Sequence, residues 1–168
     1  MRERRASLRA LRNREFEAFV AGASGRLLHT ATLLTAEPPD DNPRACRLLS
    51  LALAHTYAYW DRARGEDPYV RARAHLATRF AREAWHRHGG GPRRSRGPAA
   101  GVLGGLSPQE RLVLVLRLYE GVAEEQTAAL LGLPTERVGA LCDRAVATLL
   151  RPAPDRSRPV AGPRTAAP

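Results

Sequence analysis

Residues 131–150 read LGLPTERVGALCDRAVATLL, and their spacing decides the class of fold. Val138, Leu141, Cys142, Ala145, Val146 and Leu149 fall at i, i+3, i+4, i+7, i+8 and i+11, which turns one face of a helix inward. A Gly132-Leu133-Pro134 turn precedes that helix, and Glu124 to Leu131 form a shorter one before it. Thr127, Ala128 and Leu131 can meet the inward stripe, and the small Ala128 and Ala129 allow close approach. Two helices joined in this way are either an ordinary helical hairpin or a helix-turn-helix, which presents the first side chains of its second helix to the DNA major groove.

Working outward, Ser107 and Glu110 have the spacing of a capping box, Pro108 takes the first helical position, and Gly121 closes the element. The apolar residues of LSPQERLVLVLRLYEG nearly encircle that helix, so it should be buried. Residues 89–105 are Gly, Pro and Arg without periodicity and read as a flexible basic linker. Further back, four helices are expected from Arg14 onward. Phe16, Phe19 and Val20 give a short face that Gly22 and Gly25 interrupt, and Ser24 can cap a second helix lined by Leu27, Leu28, Ala31 and Leu34. AEPPDDNP stops it. A third helix from about Arg44 carries Ala45, Leu48, Leu49, Ala52, Leu53, Thr56 and Trp60. Asp67 and Pro68 then begin a fourth, YVRARAHLATRFAREAWHRH. Residues 1–13 are a basic lead-in expected to fray, and the Pro-rich residues 152–168 a disordered tail.

The 168 residues carry a net charge of +10, and all 27 basic residues are Arg. That balance favours an anionic partner, and the planar Arg fork suits phosphate and guanine edges. A GC-rich coding sequence also yields Arg, Ala, Gly and Pro, so charge alone does not establish nucleic-acid binding. Cys46 and Cys142 stand far apart with no metal-ligand spacing, and are expected to be buried thiols in a reducing compartment. MRERRASLRALRNREF has no signal-peptide core, and no stretch approaches the roughly 18 apolar residues of a membrane span. A cytoplasmic protein without membrane contact is expected. An enzyme is not: His86 and His88 are unsuited to sharing a metal from one helical face, the PPDD carboxylates lack a partner base, and the Gly run at 89–91 neither follows a strand nor opens a patterned helix. No catalytic residue, metal or cofactor is expected.

The stretch from Leu106 to Leu150 resembles region 4 of the extracytoplasmic-function sigma factors of the sigma-70 family. The likeness runs through Leu106, Pro108, Arg111, Val113, Leu116, Arg117, Tyr119, Glu125, Ala128, Leu131, Gly132, Pro134, Val138, Arg144, Ala145 and Leu149. EFEAFVAGASGRLLHTATLLT, LLSLALAHTYAYWDRAR and PYVRARAHLATRFAREAW are similar to region 2 of an actinobacterial subgroup, in the family's order and at nearly its spacing. The resemblance implies an all-α protein of two small helical domains, a region 2-like bundle over 14–88 and a region 4-like helix-turn-helix over 106–151. It implies an RNA polymerase subunit directing transcription initiation. Region 2 would bind the β′ clamp and open the −10 element, and region 4 would sit on the β flap and read the −35 element. Core RNA polymerase, promoter DNA and an anti-sigma factor are the implied partners.

Carried onto this chain, the implied DNA contacts are Thr135, Arg137, Ala140, Arg144 and Arg151 in region 4, and Arg71, Arg73, Arg79 and Arg82 in region 2. Arg47, Ser50 and Leu51 are the implied polymerase contacts. Arg137 can fork onto a guanine, and Arg144 can hold a phosphate. Tyr69, Phe80 and Trp85 suit either stacking on unpaired bases or core packing. The chain departs from the family where Cys46 and Arg47 replace an acidic pair, after the longer PPDDNP segment. It departs again where Glu136, Arg137, Val138, Gly139 and Ala140 replace Gly-Thr-Val-Lys-Ser, and where Leu141 and Asp143 replace polar or basic residues. Two other readings stay open: a degenerate sigma-like regulator acting through protein contacts, and a stand-alone helix-turn-helix regulator.

Overall fold

The computed structural model describes residues 2–62, 65–87 and 101–151. Among them are α1 (Arg2–Thr35), α2 (Pro43–Ala58), α3 (Pro68–Arg87), α4 (Pro108–Leu114), α5 (Glu124–Leu131) and α6 (Thr135–Leu149), and no strand. A short 3-10 turn, Val102–Gly105, precedes α4, and a π turn, Val115–Tyr119, continues it. Of the expected linker only 101–105 are described; residues 152–168 lie outside the described residues.

The first helix corrects two expectations. It runs unbroken from Arg2, spanning about 50 Å at 1.5 Å per residue, so the basic lead-in is helical and Gly22 and Gly25 do not divide it. Each Gly costs about 1 kcal/mol of helix propensity, but the packed stripe of Phe19, Ala23, Leu27, Ala31 and Leu34 crosses both positions and keeps the helix whole. Before that stripe, Phe16 and Phe19 pack edge-on or tilted against Tyr57 and Trp60 of the α2 end, with centroids 4.9–5.5 Å apart. Arg12 adds a hydrogen bond of 2.7 Å to the Tyr57 hydroxyl and an ion pair of 3.2 Å with Asp61. The helix ends at Ala36, whose φ of 52° is left-handed, before the Pro38-Pro39 segment. Glu37 then accepts the Ala45 N–H at 2.9 Å and the Arg44 N–H at 3.3 Å, filling the cap that Asn42 leaves unmade at the start of α2.

Asp67 caps α3 through the Tyr69 N–H at 2.8 Å, and Ser107 and Glu110 form the reciprocal capping box of α4, as their spacing predicts. Helices α4 to α6 do not stand apart from α1 to α3. Leu112, Val115, Leu116 and Val122 share one core with Ala31, Leu34, Leu48, Ala52, Leu76 and Phe80. A second, smaller core of Val113, Ala128, Val138 and Leu141 holds α4, α5 and α6 together. Cys142 is half-buried, and burial pushes its thiol up, but Cys46 is exposed on α2 with its Sγ 3.1 Å from Asn42 Oδ1. The expectation of two buried thiols therefore fails at Cys46, which lies on the outer face of its helix.

Candidate nucleic-acid interface

The geometry that sets α6 begins at Gly132. With φ at 65° it ends α5 in the left-handed conformation that Gly adopts without steric cost, and the Leu133 N–H returns to Ala128 O at 3.0 Å. Pro134 then accepts the Arg137 and Val138 N–H groups, which starts α6 at an angle to α5. Val138, Leu141 and Ala145 are buried and Cys142, Val146 and Leu149 half-buried, so the inward stripe is the one its spacing dictates. On the outer side Arg137, Ala140 and Arg144 are exposed, Thr135 is half-buried, and Arg151 is exposed just beyond the helix end.

These outward positions are chemically uneven. Arg137 has no ion-pair partner among the described residues, whereas Arg144 Nε lies 3.6 Å from Glu110 Oε1 in a half-exposed pair that solvent weakens. Glu136 and Asp143 are exposed beside them. At Gly139 an added Cβ would meet Glu124 Oε1 at 3.0 Å, and the same carboxylate lies 3.8 Å from Arg117 Nη2. A carboxylate therefore covers the place where a longer reader would start. Arg117 also donates to Val122 O at 2.6 Å, so its role is to bind the turn between α4 and α5.

The four Arg residues expected to contact DNA from α3 do not form one surface. Arg71 pairs with Glu66, Arg79 pairs with Glu83 at 3.4 Å, and Arg82 is exposed. Arg73 faces the other way, only 15% exposed, and meets Glu120 at 3.5 Å. Phe80 is buried in the shared core and Trp85 packs against it, which gives both the packing role rather than the stacking one. On α2, Arg47 and Ser50 are exposed and Leu51 half-buried, one turn apart on its outer face beside Cys46.

A family model for sigma-70, region 4, matches residues 102–149. The RNA polymerase sigma-E factor of Streptomyces coelicolor is 32% identical, over 80% of this chain and 84% of that protein. The chain belongs to the extracytoplasmic-function sigma factors of the sigma-70 family. The sigma-E factor of Streptomyces avermitilis is also 32% identical, over 80% of this sigma factor and 83% of its own length. The structure of the sigma factor RpoE of Bartonella quintana, crystallised with the anti-sigma factor NepR, superposes with a TM-score of 0.58 over 80% of this chain and 94% of that one. At 18% identity, that likeness concerns the fold alone. The family consists of transcription initiation factors.

One group in this sigma factor lies outside the residues its sequence singles out. Glu120 follows the π turn, where its N–H bonds to Val115 O at 2.9 Å and Gly121, φ 67°, ends the element. Its side chain has no exposed surface. Thr30 Oγ1 hydrogen-bonds to Oε1, and the Tyr69 hydroxyl lies 2.9 and 3.0 Å from the two carboxylate oxygens. Arg26 Nη2 and Arg73 Nη1 lie 3.4 and 3.5 Å from Oε2. Burial and then Glu120 itself push the Tyr69 hydroxyl up, which keeps it a donor. One signal for this group is present in sequence: an acid at the carboxyl end of a helix opposes the helix dipole and needs a compensating partner.

Proposed function

We propose that this sigma factor binds core RNA polymerase in the cytoplasm and directs promoter-specific initiation, contributing contacts and no catalysis of its own. The observation that carries this reading is α6, held by its buried stripe in a helix-turn-helix with Arg137 free at its first turn. Arg137 reads a guanine edge of the −35 element, Arg144 and Arg151 hold phosphates, and Thr135 and Ala140 line the approach. Arg71, Arg79 and Arg82 track the −10 strand, and Arg47, Ser50 and Leu51 form the polymerase-facing patch of α2. We also read the chain as a region 2-like unit over 14–88 and a region 4-like unit over 106–151, which lie together in this state and separate on polymerase.

An anti-sigma protein is a further proposed partner. Leu33, Leu103, Leu114, Val146 and Leu149 line an apolar groove of about 360 Å³, rimmed by Leu118 and Leu150, which are 66% and 76% exposed. A groove of that kind fits the apolar face of a partner helix. One observation favours a regulator with weak promoter recognition: Gly139 and Ala140 offer no polar reader, and Glu124 lies over Gly139. The match to sigma-E factors, which covers 80% of this chain, supports the initiating reading over a stand-alone helix-turn-helix protein. Pull-down with purified core RNA polymerase tests the assembly. Stoichiometric capture, weakened by Arg47→Glu with Ser50→Glu, is expected; no capture of the native chain would exclude the reading.

A further inference from the structure

A fully buried carboxylate that joins two halves of a molecule is costly unless its charge is matched, and among the described residues Glu120 is matched only by residues of the other half. Arg26 and Thr30 come from α1, Tyr69 and Arg73 from the first turns of α3. Arg26 lies over the Tyr69 ring at 5.2 Å and Arg73 at 6.0 Å, so the ring fixes two guanidinium groups around one point. All four side chains of the site therefore belong to α1 and α3, and none to α4 to α6. It also has unused capacity: Arg73 Nε is buried with no acceptor, although the carboxylate is close by. Two Arg forks, two hydroxyls and a spare N–H suit an anion with more oxygens than a carboxylate. Arg26, still 54% exposed, leaves the rim accessible.

We propose that Arg26, Thr30, Tyr69 and Arg73 form a phosphate-binding cradle for single-stranded nucleic acid, which Glu120 plugs while α4 to α6 lie on α1 to α3. A backbone phosphate and Glu120 compete for the same four side chains. Binding at the cradle thus requires Val115–Gly121 to lift away, and closure of the molecule excludes the strand. The phosphodiester is favoured over an acidic protein segment by the spare donor and by the net charge of +10, which brings a polyanion to the surface. This assignment rests on the reading that the N-terminal helices meet nucleic acid.

Binding of the full chain to a labelled single-stranded oligodeoxynucleotide, without polymerase, tests it. Glu120→Gln is expected to tighten binding about tenfold at low salt, and the gain should vanish when Arg26→Gln and Arg73→Gln are also present. An equal gain in that background, or no gain from Glu120→Gln alone, would overturn the cradle. Should Glu120→Gln fail to fold, hydrogen exchange on the native chain decides. Saturating oligonucleotide must speed exchange at the Glu120 and Val122 amides, and unchanged exchange there overturns the proposal. Because the assay holds no polymerase, a chain that opens on oligonucleotide but never initiates transcription contradicts the proposed function and leaves the cradle standing.

Discussion

His75 shows how a single side chain sets a pH limit on this fold. Its ring stacks on His55 at 4.0 Å and 15°, and burial, followed by the charges of His55, Arg79 and Arg82, holds it below the ordinary imidazole value. A group depressed in the folded state contributes stability above its unfolded pKa, near 6.5, and that contribution is lost as pH falls. Thermal unfolding at pH 7.5 and 5.5 should therefore show a larger drop in Tm for the native chain than for His75→Gln; parallel drops would remove His75 from the account. Gly139 offers a second test. Gly139→Ala should stabilise α6 by about 0.5–1 kcal/mol, because helix propensity rises and only the mobile end of Glu124 must move. A fall in Tm would mean that Glu124 is held more firmly than its contacts indicate. Arg111 resembles His75, a guanidinium brought down to about 10 by burial and the nearby Arg44, with its Nε unpartnered among the described residues.

Helix α6 was almost wholly legible in sequence, because its stripe, its Gly132-Leu133-Pro134 turn and its preceding helix all depend on neighbours fewer than about four residues away. The same holds for the caps at Asp67 and Ser107. Helix α1 was not, since its continuity across Gly22 and Gly25 comes from packing, and its earlier part is tied at Arg12 to Tyr57 and Asp61, more than forty residues on. The candidate site was legible in part. Arg137 stands free, as its position outside the stripe implies, yet Arg73 is turned inward to an acid from another element, which no local pattern reveals. Within α6 the two ends should differ. Arg137 belongs to the first turn, where a helix in the major groove reaches base edges, while Arg151 follows the last. Arg137→Ala should weaken −35-dependent binding about tenfold or more and Arg151→Ala about threefold or less. Equal losses would mean that only non-specific charge is at work.

Taken together, the chain is a sigma factor closed on itself: one core joins its two groups of helices, and one buried carboxylate is matched across them. In the function proposed above, its Arg-rich surface would supply general attraction to nucleic acid, and specificity would rest on a few side chains of α6. Run-off transcription on genomic fragments, with core RNA polymerase and the purified chain, tests this most directly. Discrete transcripts that require the chain and decline with Arg137→Ala are the predicted result. Core polymerase bound to the chain but yielding no specific transcript would contradict it.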